Sequence, residues 1–262
     1  MKPLISMPRI HITMPLAIAA LAVWLCLTLG VRRFAAAGSA TVEAAVSNGI
    51  GLSWALAALF SLLLVLASDR RRAAGLGAPQ PLKTFWLVWP PLLYALLMLV
   101  LAWAGGWPMP RVLLMVACNA ALVAVSEELM FRGILLQGML DKHAVWPAVL
   151  ISSALFGVVH TTNGLATGDV SGAVWQAVAA ALQGVGYAAI RLRTRSVWPM
   201  VLVHGVWDFA LVTATMSDTA EDGFSILPFA ALLAVLPLCL YGVYLLRPSQ
   251  RAALLAPADA AG

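Results

Sequence analysis

Eight apolar stretches alternate with short polar breaks along the chain, at roughly 12–31, 46–67, 84–104, 111–131, 144–162, 170–190, 196–217 and 225–246. Each approaches the ~20 residues a helix needs to cross the hydrocarbon core of a bilayer. The breaks carry turn chemistry. Arg70, Arg71 and Arg72, then Gly75, Gly77, Pro79 and Pro81, separate the second and third stretches. Gly105, Gly106, Pro108 and Pro110 turn the chain after the third, and Asp218, Glu221, Asp222 and Gly223 mark the last loop. Trp86, Trp89, Trp103, Trp107, Trp146 and Trp198 cluster near stretch ends, where indole rings prefer the membrane–water boundary. The pattern predicts an all-α, polytopic integral membrane bundle of about eight transmembrane helices.

Composition narrows this further. Of 262 residues, 62% are hydrophobic and 10% charged, against ~25% charged in an average soluble domain. A soluble enzyme, a disordered chain and a DNA-binding domain are excluded. The partner is the lipid bilayer, with no nucleic acid. Cys26, Cys118 and Cys239 lie in apolar runs without a C-x-x-C pair and read as small buried hydrophobes. The chain divides into three N-terminal spans (1–110), four spans that hold the chemistry (111–217), and a last helix with its tail (218–262). The first stretch also has features of a signal peptide, with Ala35-Ala36-Ala37 resembling a cleavage site. Its apolar run exceeds the 7–15 residues typical of a signal h-region, which favours a retained anchor.

Charge sets the orientation. With the N-terminus inside, Lys2, Arg9, Arg70, Arg71, Arg72, Lys83, Lys142, Arg191, Arg193, Arg195, Arg247 and Arg251 fall inside, and Arg32, Arg33 and Arg111 outside. This asymmetry places both termini in the cytoplasm. Thirteen Arg against three Lys, with abundant Ala, point to a GC-rich bacterial genome and hence a bacterial inner membrane.

Glu127, Glu128, Arg132, His160, His204 and Asp208 are ionisable residues inside these stretches. At the bilayer centre a charged side chain costs roughly 2.5–3.5 kcal/mol even on an insertion scale, so such groups must face the bundle interior and find partners. Glu128 and Arg132 are i, i+4 on one helix face and can pair. Glu127, about 100° around that helix, has no local cation and is the better candidate for proton chemistry. His204 and Asp208 are also i, i+4. Each group has a structural reading too: an ion-pair cluster for the first three, a packing donor for His160. Together, Glu, His, His and Asp are the residue types that activate water and hold an oxyanion. Glu127, His160 and His204 also suit a three-ligand zinc site, although H-E-x-x-H spacing is absent. The residues leave open one divalent metal or none.

The motifs E-E-x-x-x-R (Glu127, Glu128, Arg132), F-x-x-x-H (Phe156, His160) and H-x-x-x-D (His204, Asp208) resemble those of the CAAX-protease and bacteriocin-processing (CPBP) family of intramembrane metalloproteases, also called type II CAAX prenyl endopeptidases. The resemblance covers about Val123 to Phe209, and includes Ser196-Val197-Trp198-Pro199. It implies an intramembrane endopeptidase acting on a membrane-associated or lipidated peptide. By that resemblance Glu127 and His160 activate water, and His204 and Asp208 stabilise the oxyanion or help hold a metal; Glu128, Arg132 and Phe156 support them. Asp208 stands where many relatives have Asn. Ionised Asp cannot donate a hydrogen bond, so it must be protonated, orient His204 or bind metal. A non-catalytic immunity or scaffold protein with the same fold, and a proton-coupled transporter, are the rival readings.

Helical rise makes a depth test. Measured at 1.5 Å per residue, Glu127 lies about 24 Å in from Arg111 and His204 about 9 Å from Trp198, which places both in the cytoplasmic half. His160 lies about 21 Å from Trp146 on the same rule and disagrees. A cavity opening to the cytoplasm fits two of the three positions.

Overall fold

The structure, a computed structural model, describes residues 9–35, 49–217 and 227–248. Every predicted stretch is a helix among them. α1 is Met14–Ala35, α2 Leu52–Ala67 and α3 Trp89–Gly105, which is entered through a 3-10 segment, Leu82–Val88. α4 is Pro110–Leu140, α5 Val145–His160, α6 Val170–Thr194, α7 Trp198–Ser217 and α8 Leu227–Leu245. A short helix, Thr162–Thr167, links α5 to α6. Among the described residues there is no strand, only an isolated bridge between Ile10 and Ser68. Among the described residues five helices, counting α3 with its 3-10 entry, are long and apolar enough to span a membrane, and three shorter apolar ones accompany them. The acidic loop at 218–223, Lys2, Arg251 and the Ala36-Ala37 end of the cleavage-site candidate lie outside the described residues.

From α3 to α7 the connections are short and favour antiparallel neighbours, as in α5 and α6, where Gly157 faces Ala177 and Gly184 faces Ser153. α5 packs on α6, α7 on α3 and α4, α8 on α6, and α1 on α2 and on the middle of α4. Small residues allow the approach, as they do wherever helices meet in lipid. A Cβ on Gly157 of α5 would collide with the Ala177 carbonyl and the Ala181 side chain of α6; one on Gly242 of α8 would collide with Gly186. Large apolar side chains point outward: Trp86, Trp103, Leu165 and Leu240 are all more than two-thirds exposed. In a membrane protein that surface is covered by lipid.

Two boundaries differ from expectation, for one physical reason. The fourth stretch was predicted to end near 131, but α4 continues to Leu140 through a π-helical segment, Leu129–Leu135. The sixth extends to Thr194, so Arg191, predicted as a loop charge, sits 4% exposed in the last turn of α6. Hydropathy locates apolar runs but does not tell a residue packed against protein from one facing lipid.

The loops joining α2 to α3, α4 to α5 and α6 to α7 meet at one end, where most of the described basic residues lie. Segment 68–81 lies across this end as a strap. The Arg191 guanidinium donates to the Ala73 carbonyl. Val197 N donates to Gly75 O at 2.9 Å, Ser196 Oγ to Gly77 O at 2.6 Å, Trp198 Nε1 to Leu76 O at 2.8 Å, and Gln80 N to Thr194 O at 2.9 Å. Gly75 has φ +88° with Arg191 and Val197 close by; a side chain there would suffer both strain and crowding.

Candidate active site

Glu127 and Glu128 close the regular part of α4, and the π-helical segment begins at the next residue. Segments of this kind recur at functional sites because they displace side chains from the regular helical ladder. Arg132 lies within it, and its Nη1 donates to Glu128 Oε1 at 3.0 Å. The same oxygen accepts from His204 Nδ1 of α7 at 2.8 Å. Arg132 and Glu128 are 2% and 0% exposed, so the i, i+4 pair read from sequence is a buried one. The Arg132 guanidinium also lies over the Phe156 ring, 4.1 Å from its centroid, with Tyr187 on α6 at 5.2 Å. Stacking of this kind suits the planar, weakly hydrated guanidinium.

Phe156 is the hub of the site. Its ring meets those of Phe131, His160 and His204 edge-on, with centroids 4.9, 4.7 and 6.0 Å apart. His160 Nδ1 lies 2.7 Å from the Phe156 carbonyl. A carbonyl only accepts, so Nδ1 carries the proton and Nε2 keeps its lone pair. His204 Nε2 lies 3.3 Å from Asp208 Oδ2 and 3.8 Å from Glu127 Oε2. A nitrogen facing two carboxylate oxygens requires a proton on itself or on one of them.

Glu127 differs from Glu128 in its outlook. Both have a buried Oε2 without a hydrogen-bond partner, but of the two it is the Glu127 side chain that lines a cleft, together with His160. The structure thus brings all seven sequence-predicted residues into one neighbourhood on α4, α5 and α7. It also resolves the depth of His160. Measured from the turn joining α4 to α5, Glu127 is thirteen residues above Leu140 and His160 fifteen above Val145, or about 20 and 22 Å at the helical rise. The two are level because α4 extends below the expected boundary.

The opening of the cleft departs from expectation. Its walls are Trp24, Thr28 and Leu29 of α1, Trp54 at the start of α2, and Thr162 and Asn163 beyond α5. All lie toward the end of the bundle opposite the basic loops, so a cavity opening at the basic end is not what the structure shows. The strap occupies that end. Sequence reading also missed Trp24, whose Nε1 donates to Ser126 Oγ at 2.8 Å. No local signal links residues 102 apart. Gln183 and Tyr187, hydrogen-bonded at 2.7 Å, did carry one: an i, i+4 polar pair within an apolar stretch.

Among the described residues no three His, Cys, Asp or Glu side chains converge to hold an ion. In two of the three proposed ligands one ring nitrogen is held, His160 Nδ1 by the Phe156 carbonyl and His204 Nδ1 by Glu128, which leaves Nε2 as the nitrogen that could meet an ion. No step below is routed through a metal.

Residues 109–210 match the family described as "Rce1-like: Type II CAAX prenyl endopeptidase Rce1-like". The match spans every motif residue and supports the CAAX-protease (CPBP) family assignment. It supports a CAAX-type intramembrane endopeptidase in general and, with the apolar helices, an integral membrane protein. No curated protein matches the chain.

Proposed function

We propose that this protein hydrolyses a peptide bond in a membrane-associated or lipidated substrate, using water activated by Glu127 and His160. One observation carries this reading. Of two adjacent carboxylates, Glu128 is held through Oε1 by Arg132 and His204, whereas Glu127 lines the cleft that His160 also lines. Glu127 Oε2 and His160 Nε2 are both acceptors, and a water donating one hydrogen to each turns its lone pairs toward a third atom. In the reaction the water oxygen bonds to the carbonyl carbon and its proton passes to Glu127. The tetrahedral intermediate then expels the amine, which leaves with that proton as the C–N bond breaks.

His204 serves the developing oxyanion. Glu128 holds its Nδ1, and Asp208 steadies the Nε2 side at 3.3 Å. That contact favours an orienting role for Asp208 over direct donation to substrate. Residues 111–217 form the catalytic core in this reading, and α1 completes it through Trp24. The basic end faces the cytoplasm of a bacterial cell, with both termini on that side.

The test is cleavage of a membrane-peptide library by the purified protein in lipid nanodiscs, with Glu127→Gln as control and chelator treatment in parallel. Cleavage by wild type and not by the variant supports the reading. A wild-type protein that binds the library without cleaving it would place this chain among non-catalytic members of the fold.

A further inference from the structure

The cleft beside Glu127 lies between helices that have other partners. α1 packs on α2 and on the π-helical segment of α4, while α5 packs on α6. Between the upper parts of α1 and α5 the site is open. Val23 on α1, Val158 at the end of α5 and Leu165 on the short helix are exposed nearby, the last at 84%. The flanks of the opening are therefore apolar and suited to lipid, whereas its floor is polar.

Three polar groups in its walls spend a donor on protein partners. Thr28 Oγ1 donates to the carbonyls of Trp24 and Leu25 of its own helix, both at 3.1 Å. Thr162 Oγ1 donates to Val159 O at 2.6 Å, and Asn163 Nδ2 to Gln176 Oε1 at 2.9 Å. Each threonine hydroxyl donor already has a partner, as does one N–H of Asn163. Each hydroxyl can still offer the cleft an oxygen lone pair, and Asn163 offers its Oδ1 beside its second N–H. The walls thus hold three acceptors, and Glu127 and His160 add two more at the floor.

A peptide helix in lipid satisfies all its backbone groups internally. Cleavage requires the carbonyl to be reached, so a turn must unwind, and the freed N–H groups then have no water to bond. Unpaired in hydrocarbon, each is costly. From this complementarity we infer that the α1–α5 cleft is a lateral entry for a membrane-spanning peptide, and that Thr28, Thr162 and Asn163 receive the backbone N–H groups released as it unwinds beside Glu127. The inference rests on the hydrolase reading and specifies its substrate: a helical segment drawn from the bilayer, as distinct from an already extended tail.

The experiment compares two substrates with one cleavage sequence, a membrane-spanning peptide in phosphatidylethanolamine–phosphatidylglycerol vesicles and a six-residue soluble peptide. In the Thr28→Val, Thr162→Val double variant the ratio of kcat/KM, membrane over soluble, falls about tenfold, the size expected for two lost hydrogen bonds. The corresponding double Ser variant, which keeps both oxygens, restores it. An unchanged ratio overturns the inference and leaves the hydrolase reading standing. If wild type cleaves neither substrate, the hydrolase reading fails, and photolabelling by a benzophenone-bearing membrane peptide decides the cleft separately. Labelling at 23–29 and 158–165 that weakens in the double Val variant supports entry there; labelling confined to other helices overturns it.

Discussion

The two ends of this bundle handle backbone polarity in opposite ways. At the basic end the strap is tied down bond by bond: carbonyls of Ala73, Gly75, Leu76 and Gly77 each accept from α6 or from the turn into α7. At the other end, threonine hydroxyl donors are satisfied locally and acceptors face an open cleft. One end is finished without a ligand; the other is arranged around something still to arrive. Glu128 and Glu127 stand at the border between these regimes, one bonded twice through Oε1 and the other lining the cleft.

Substitutions can break this contrast in order of size. Glu127→Gln is expected to lower turnover of a cognate peptide by ~10²–10⁴-fold while the melting temperature in detergent stays at the wild-type value. Turnover within threefold or so of wild type would remove Glu127 from the chemistry. Arg132→Ala does the reverse: it leaves Glu128 buried without its cation, a change that costs ~3–5 kcal/mol. Its signature is a lower thermal midpoint and poor membrane yield, and normal melting without activity would instead move Arg132 into the mechanism. At the basic end, Arg191→Ala removes the bond to the Ala73 carbonyl and is expected to cost ~1–3 kcal/mol. Trypsin should then cut faster at the exposed Arg71 and Arg72; an unchanged rate would mean that the strap is held without Arg191.

The smallest effect is pH-dependent. His11 Nδ1 donates to Asp69 Oδ2 at 2.9 Å, and this bond holds the Asp69 carboxyl below the usual range. A depressed folded-state value means the contribution is complete above the ordinary carboxylate range and disappears as pH falls through the folded value. Tryptic nicking of the unfrozen strap cannot be followed in acid, so pepsin is the probe. Between pH 5 and pH 3 the susceptibility of wild type should rise toward that of Asp69→Asn, whose own rate should already be high at pH 5. Parallel curves for the two proteins would show that the pair contributes nothing.

Helix number and the motif residues were legible because both rest on local spacing. An apolar run of span length identifies α7, and i, i+4 spacing gives the Glu128–Arg132 and His204–Asp208 pairs. Relations between distant parts were not legible. Trp24 reaches Ser126 across the fold, and nothing near residue 24 announces it. Arg191 reads as a loop cation because a buried arginine with a carbonyl partner has the same local sequence as an exposed one. The cleft direction was misread for a related reason. Depth was measured from Trp146 and Trp198 as if both marked one plane, whereas α4 and α5 together reach beyond the start of α7.

The π-helical segment Leu129–Leu135 has a mechanical consequence. A wider turn delays the phase of everything after it relative to an uninterrupted α-helix. Above it, α4 presents Glu128 to His204 on α7; below it, the same helix presents Gly138 to Thr13, Met14 and Ala17 on α1. The segment works as a gearing between two contact faces that a regular helix would hold at a different relative angle. Deleting one residue there would leave both sequences intact and turn one face away from its partner. The length of this stretch, as much as its chemistry, therefore aligns the buried charges with the helix that walls the cleft.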